Sequence, residues 1–222
     1  MENPKNNFKI VSDKKARMIL PNAITLIGVC IGLTSIKFAL DGKFSLAIVA
    51  ILFAGLMDAL DGRIARLIKG TSKIGKELDS LGDVISFGVA PAFIMYFWNL
   101  QYLDKLGWFV CLMYVVCVAL RLARFNVNSE EESSWKDNFF EGVPAPAGGI
   151  VVLMPLVLSF SGVGEIFFKI NYDIIVPVFF IAVSILLIST IPTYSFKKIV
   201  IPRAMTKFLL FGIVLFFGAL LV

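Results

Sequence analysis

Histidine is absent from this 222-residue chain. No imidazole can therefore serve as general base, nucleophile or metal ligand. Cysteine is scarce: Cys30, Cys111 and Cys117 lie in apolar runs and form no CxxC pair, which favours packing over a zinc or dithiol redox role. Charge is also sparse, at 17% of residues, while 58% are hydrophobic and the mean hydropathy is +0.86. A soluble domain is usually about half apolar, so the excess here calls for lipid as solvent. The length suits one membrane domain without a separate soluble one. Residues 1–18 are polar and charged, which argues against a cleavable signal peptide. The net charge of +5 suits anionic lipid and phosphate and implies no nucleic acid.

A span needs about 20 mainly apolar residues. Candidates are 21–40, 44–68, 77–100, 106–126, 145–163, 173–193 and 204–222. A helical bundle is expected, since backbone in lipid must satisfy its own hydrogen bonds. Residues 12–20, SDKKARMIL, alternate basic and apolar side chains after a candidate N-cap at Ser12. They predict a short interfacial helix, with Pro21 opening the first span. With the N-terminus in the cytoplasm, that side collects Lys5, Lys9, Lys14, Lys15, Arg17, Arg63, Arg66, Lys69, Lys73, Lys76, Arg121, Arg124, Lys136, Lys197, Lys198, Arg203 and Lys207. Lys37, Lys43, Lys105 and Lys169 fall on the other side. The asymmetry predicts N-terminus inside and C-terminus outside.

Residues 57–83, MDALDGRIARLIKGTSKIGKELDSLGD, hold the chemistry. Asp58, Asp61, Gly62, Ala65 and Arg66 share one helical face, and Gly75, Asp79 and Asp83 share one face of the next helix. The short basic connection makes the helices antiparallel neighbours, so the aspartates converge near one membrane face. Such a cluster needs cations to stay ionised. Hard divalent ions with oxygen ligands answer that need, and two Mg²⁺ or Mn²⁺ ions would also bind a pyrophosphate and support an in-line displacement. The small residues Gly62, Ala65 and Gly75 admit either a flat nucleotide or a neighbouring backbone. The connection KGTSK, including Ser72, offers lysines, hydroxyls and free N–H groups as a phosphate or nucleotide lid. A single Asp or Arg at a helix end is more often a snorkelling or topology charge; a cluster on two facing helices is not.

The pattern D-x2-D-G-x2-A-R-x8-G-x3-D-x3-D is met position by position by Asp58, Asp61, Gly62, Ala65, Arg66, Gly75, Asp79 and Asp83. It resembles the signature of the CDP-alcohol phosphotransferases. The resemblance implies a core of six transmembrane helices behind a juxtamembrane helix, here with an extra C-terminal span, and a homodimer. It implies a two-metal centre on Asp58, Asp61 and Asp79, helped by Asp83, and makes Asp83 the general base for an acceptor hydroxyl. It places Gly62, Ala65 and Gly75 in a cytidine pocket, with Arg66 and Ser72 beside the CDP. PNAIT resembles the family's opening of the first span and puts Asn22 and Thr25 near the nucleotide.

SFGVAPA (86–92), RLARFNV (121–127) and EGVPAPAGG (141–149) resemble the phosphatidylserine synthase branch. That implies CDP-diacylglycerol as donor and L-serine as acceptor, giving phosphatidylserine and CMP. Arg121 and Arg124, three apart, suit a carboxylate or a lipid-linked phosphate, or act as topology charges. Ser86 lies near Asp83 either as an acceptor contact or as packing; Asn126 either orients substrate or caps its helix. Gly88, Pro91, Pro144 and Pro146 mark interrupted or kinked helices, which widen a cavity or reshape a turn. Residues 129–140 read as a solvated loop, a candidate for gating or serine capture. The rival readings are the same chemistry on glycerol 3-phosphate or inositol phosphate, and a divalent-cation transporter.

Overall fold

The structure, a computed structural model, describes residues 13–68, 72–128, 139–141, 143–160, 171–189 and 192–194. The chain before residue 13, residues 69–71 of the basic connection, most of the 129–140 run and the expected last span 204–222 lie outside the described residues.

Among the described residues, four helices are long and apolar enough to cross a membrane: Ile19–Leu40, Phe44–Leu67, Lys73–Trp98 and Leu100–Val127. Ala145–Phe160 and Tyr172–Ile188 are shorter apolar helices. The chain is an all-α membrane protein. Its helices are α1 (Asp13–Leu40), α2 (Phe44–Leu67), α3 (Lys73–Asp83), α4 (Ala90–Trp98), α5 (Asp104–Asn128), α6 (Ala145–Val152), α7 (Met154–Phe160) and α8 (Tyr172–Ile188). A π-helical turn, Val84–Val89, joins α3 to α4, and a 3-10 turn, Leu100–Leu103, precedes α5. Two three-residue strands, Phe139–Glu141 and Pro192–Tyr194, pair antiparallel. The break expected at Pro21 is absent, because α1 is continuous from Asp13 to Leu40. A transmembrane helix tolerates proline when other groups take up the freed backbone bond.

The turn between α1 and α2 is written in Asp41-Gly42-Lys43. Gly42 adopts φ +74°, while its N–H bonds Ala39 O at 3.0 Å and the Lys43 N–H bonds Phe38 O at 2.8 Å. This is a left-handed glycine stop that satisfies the last carbonyls of α1. Lys37 Nζ reaches Asp41 at 2.7 Å, and that hydrogen-bonded ammonium holds the Asp41 carboxyl below its usual range.

Helix directions follow from contacts at both ends of the bundle. Asn126 near the end of α5 bonds Ser80, in the first third of the span Lys73–Trp98, and Arg124 bonds Ile188 at the end of α8. Toward the opposite end, Asn99 bonds Asp173 and Trp98 stacks edge-on against Tyr172. The α3–α4 span therefore runs antiparallel to α5 and α8. The core is built from Phe87, Ile94, Met95, Tyr114, Leu156 and Phe180, all nearly inaccessible. Lipid gives helices little hydrophobic reason to associate, so close packing over small residues must do it. Gly88 sits against Val118, Gly148 against Leu187, and Gly149 against Phe87. Leu26, Phe53, Phe109 and Ile185 stay exposed and suit lipid contact. Cys111 and Cys117 are buried as packing residues, whereas Cys30 is exposed on α1.

The tightest approach is at Gly107, where α5 passes under the 3-10 turn. A Cβ there would stand 1.9 Å from Leu100 O. Gly107→Ala must move backbone to fit, and is expected to destabilise the bundle by about 3 kcal/mol. Thermal unfolding in detergent checks this; a melting temperature within about 2 °C of the parent would contradict the geometry.

Candidate active site

Asp58 and Asp61 stand on the last turns of α2, and Asp79 and Asp83 on the facing side of α3. One carboxylate oxygen from each of Asp58, Asp61 and Asp79 lies within 4.8 Å of the others. Asp58 is also within hydrogen-bonding reach of both Asp79 and Asp83. Asp61 is buried at 3% exposure, and the other three are half-buried. They line a cleft whose walls are Thr25, Gly28 and Val29 of α1, Ala54 of α2, Gly82 of α3, and Ser86 and Phe87 of the π turn.

Thr25 fixes Asp61. Its hydroxyl donates to Asp61 Oδ2, with the Pro21 carbonyl 3.1 Å away as a second acceptor. Asp61 Oδ1, Asp83 Oδ1 and Arg121 Nε are buried without a hydrogen-bond partner among the described residues. Arg121 lies close enough for its charge to act on Asp83. These oxygens test the fit of a metal. They are hard donors, some have no other bond, and their spread is close to that of oxygens sharing one cation at about 2.0–2.6 Å each. Clustered carboxylates at a membrane boundary repel one another without such a charge. The residues fit a divalent ion.

The small residues divide into two groups. Gly75 faces Asn22, whose Oδ1 lies 3.0 Å from where a Cβ would be, and Gly82 faces Val29 and Thr25. Gly32 of α1 in turn faces Ser86. These contacts form one parallel seam that draws α3 against α1. Gly62 is different: a Cβ there would meet only Arg66 Nη2, at 4.0 Å, so its face is open. Ala65 is half-buried on that helix, and the exposed Arg66 donates from Nε to Gly62 O. Ser72 caps α3 by accepting the Gly75 N–H at 2.9 Å.

The residues expected near the acceptor separate. Ser86 is buried and lines the cleft, and Arg121 lies close enough for its charge to act on Asp83. Arg124 instead donates to Ile188 O at 2.8 Å, capping α8, and Asn126 donates to Ser80 Oγ at 2.9 Å, tying α5 to α3. Gly28, Val29, Gly82 and Phe87 were not singled out by the sequence reading. A helical period continued from Thr25 along α1, and from Asp79 along α3, reaches the first three. Phe87 depends on the π turn.

A family model, CDP-alcohol phosphatidyltransferase, matches residues 18–189. The chain is similar to the CDP-diacylglycerol–serine O-phosphatidyltransferase of Mycobacterium tuberculosis, 39% identical over 188 residues, covering 83% of this chain and 64% of that protein. It is similar to the Helicobacter pylori protein of the same name, 34% identical over 181 residues, covering 82% and 74% respectively. It also resembles the archaetidylserine synthase of Methanothermobacter thermautotrophicus, 33% identical over 191 residues, covering 82% and 73%. The chain spans about half to two thirds of the length of the mycobacterial relatives it matches. With the family match running through every helix from α1 to α8 and the aspartates it spaces meeting in one cleft, the chain belongs to the CDP-alcohol phosphatidyltransferase family.

Proposed function

We propose that this protein transfers the phosphatidyl group from CDP-diacylglycerol to L-serine, releasing CMP and forming phosphatidylserine. The convergence of Asp58, Asp61 and Asp79 within 4.8 Å, beside Asp83, whose Oδ1 has no hydrogen-bond partner among the described residues, carries the reading. The names of the similar bacterial proteins support the donor and the acceptor.

Asp58, Asp61 and Asp79, with Asp83, hold two divalent cations, Mg²⁺ or Mn²⁺. When bound, these supply charge that grips a diphosphate and stabilises the leaving phosphate. Thr25 keeps Asp61 oriented. Gly62 and Ala65 leave room for the cytidine, with Asn22, Arg66, Ser72 and Gly75 around it. Asp83 accepts the proton of the attacking hydroxyl, a role no histidine can take here. Ser86, in the cleft, and Arg121, whose charge acts on Asp83, would bind the acceptor or the lipid phosphate. Arg124 and Asn126 act from behind, by fixing helix ends. Residues 1–20 form the cytoplasmic N-terminus and 21–222 one catalytic membrane domain in a homodimer. The site faces the cytoplasm, since Arg63, Arg66, Lys73, Lys76, Arg121 and Arg124 share its side of the bundle.

The test is CMP release by purified protein given CDP-diacylglycerol and one alcohol at a time. Serine is expected to exceed glycerol 3-phosphate and inositol phosphate by about a hundredfold or more. No release with serine rejects the acceptor. Equal use of a CDP-activated archaeal lipid would extend the donor class, a reading favoured by the archaetidylserine synthase similarity. Metal flux into liposomes without nucleotide would favour a transporter instead.

A further inference from the structure

The third span is not a continuous α-helix. The π turn Val84–Val89 begins directly after Asp83, and the Ala90 N–H reaches five residues back to Ile85 O. Pro91 then interrupts the ladder, because it has no N–H to give. In an α-helix its partner would be the carbonyl of Phe87, four residues earlier. Phe87 is 1% exposed, so no bulk water can replace that bond. The phenol of Tyr114, on α5 and itself inaccessible, donates to Phe87 O at 2.8 Å.

The contact is reinforced on two sides. Val118, one turn after Tyr114, packs on Gly88, and Gly149 of α6 lies against the Phe87 backbone. A buried tyrosine generally finds some acceptor for its hydroxyl. Here the acceptor is the carbonyl from which Pro91 withholds a hydrogen bond. The consequence reaches the cleft. π-helical turns alter the facing of side chains and recur at functional sites, and this one places both Ser86 and Phe87 on the cleft wall beside Asp83.

We propose that Tyr114 is a positioning residue: its hydroxyl holds the π turn that sets Asp83 and Ser86 in the reactive cleft. A phenylalanine would fill the same volume, so the role belongs to the oxygen alone. The proposal rests on the reading of Asp83 as the group that meets the acceptor.

Tyr114→Phe, made in the full chain and reconstituted in lipid nanodiscs, tests it with two readouts. Amide hydrogen exchange over residues 84–92 is expected to quicken by about tenfold or more. The kcat for CMP release is expected to fall by about tenfold to a hundredfold, with KM for CDP-diacylglycerol within about twofold. Pro91→Ala provides the rescue, since residue 91 then carries an N–H for Phe87 O. In that background Tyr114→Phe should change exchange and kcat by no more than about twofold. Unchanged exchange over 84–92, a kcat within about twofold of the parent, or equal losses in both backgrounds would overturn the proposal. The exchange cycle reads the turn even if Pro91→Ala is inactive. If the parent protein releases no CMP with any alcohol, the functional reading falls, and exchange alone decides whether Tyr114 holds the turn.

Discussion

Asp83→Asn is expected to lower the rate of CMP release by about 10³-fold while CDP-diacylglycerol still binds. Asparagine keeps the size and the hydrogen-bonding reach of aspartate but cannot take a proton. Asp83 is set apart from its neighbours. The carboxylates of Asp58, Asp61 and Asp79 gather within 4.8 Å, and Asp83 stands beside that group. Its Oδ1 has no hydrogen-bond partner among the described residues, and its neighbourhood includes the Arg121 charge. A base needs an oxygen free to receive a proton. A pure ligand would lose donor affinity in step with rate, since the diphosphate is held through the metals. The discriminating measurement is therefore the split between equilibrium binding of CDP-diacylglycerol and the single-turnover rate. Binding retained within a few-fold with the rate lost supports proton transfer at Asp83. Parallel loss of both would confine Asp83 to holding metal and leave the base unassigned. Because the substitution also removes one of several crowded negative charges, unfolding should be unchanged or shifted to higher temperature, which separates the effect from misfolding.

Helical spacing made the centre of the site legible. Asp58 with Asp61, and Asp79 with Asp83, are local repeats, and a helix converts spacing into a face whatever surrounds it. The short basic connection then brought the two faces together. The expectations for Arg121 and Arg124 show the limit of that logic. Three residues apart on one helix, they were read as a pair, but they part company: the Arg121 charge acts on Asp83, whereas Arg124 donates to the carbonyl of Ile188. The end of a distant helix decides this, and no local pattern reports it. Ser72 reads as a phosphate contact in the connection, and what that reading did not reveal is that its hydroxyl also caps α3 by accepting the Gly75 N–H. Pro91 announced an interruption of the third span, which is the π turn that ends beside it, yet the hydroxyl that meets the Phe87 carbonyl there, Tyr114, lies on another helix. Pro21 suggested a boundary that the continuous α1 lacks, since one missing backbone bond did not outweigh the helical run on either side.

Asp61→Asn is expected to abolish tight metal binding and to lower activity by about 10³-fold or more. Asp61 is the most deeply buried of the four aspartates. Its Oδ2 is committed to Thr25, which leaves Oδ1 aimed into the cleft without another partner. An amide in its place offers a neutral donor oxygen where a carboxylate is required. Electron paramagnetic resonance of Mn²⁺ with the purified protein, in the absence of nucleotide, reads this directly, with an expected loss of about a hundredfold in affinity or more. Thr25→Val removes only the outer hydrogen bond and should cost about tenfold. Affinity unchanged in Asp61→Asn would remove it from the ligand set. The thermal response carries an independent sign. In chelator the parent protein confines mutually repelling carboxylates, so saturating Mn²⁺ should stabilise it, by about 2.7 kcal/mol at a hundred times the dissociation constant. Asp61→Asn relieves part of that repulsion and binds little metal. It should therefore start more stable than the parent in chelator and gain less from added Mn²⁺, so that the order of the two melting temperatures reverses. A structural aspartate would produce the opposite pattern: a loss of stability in chelator that Mn²⁺ leaves unaltered.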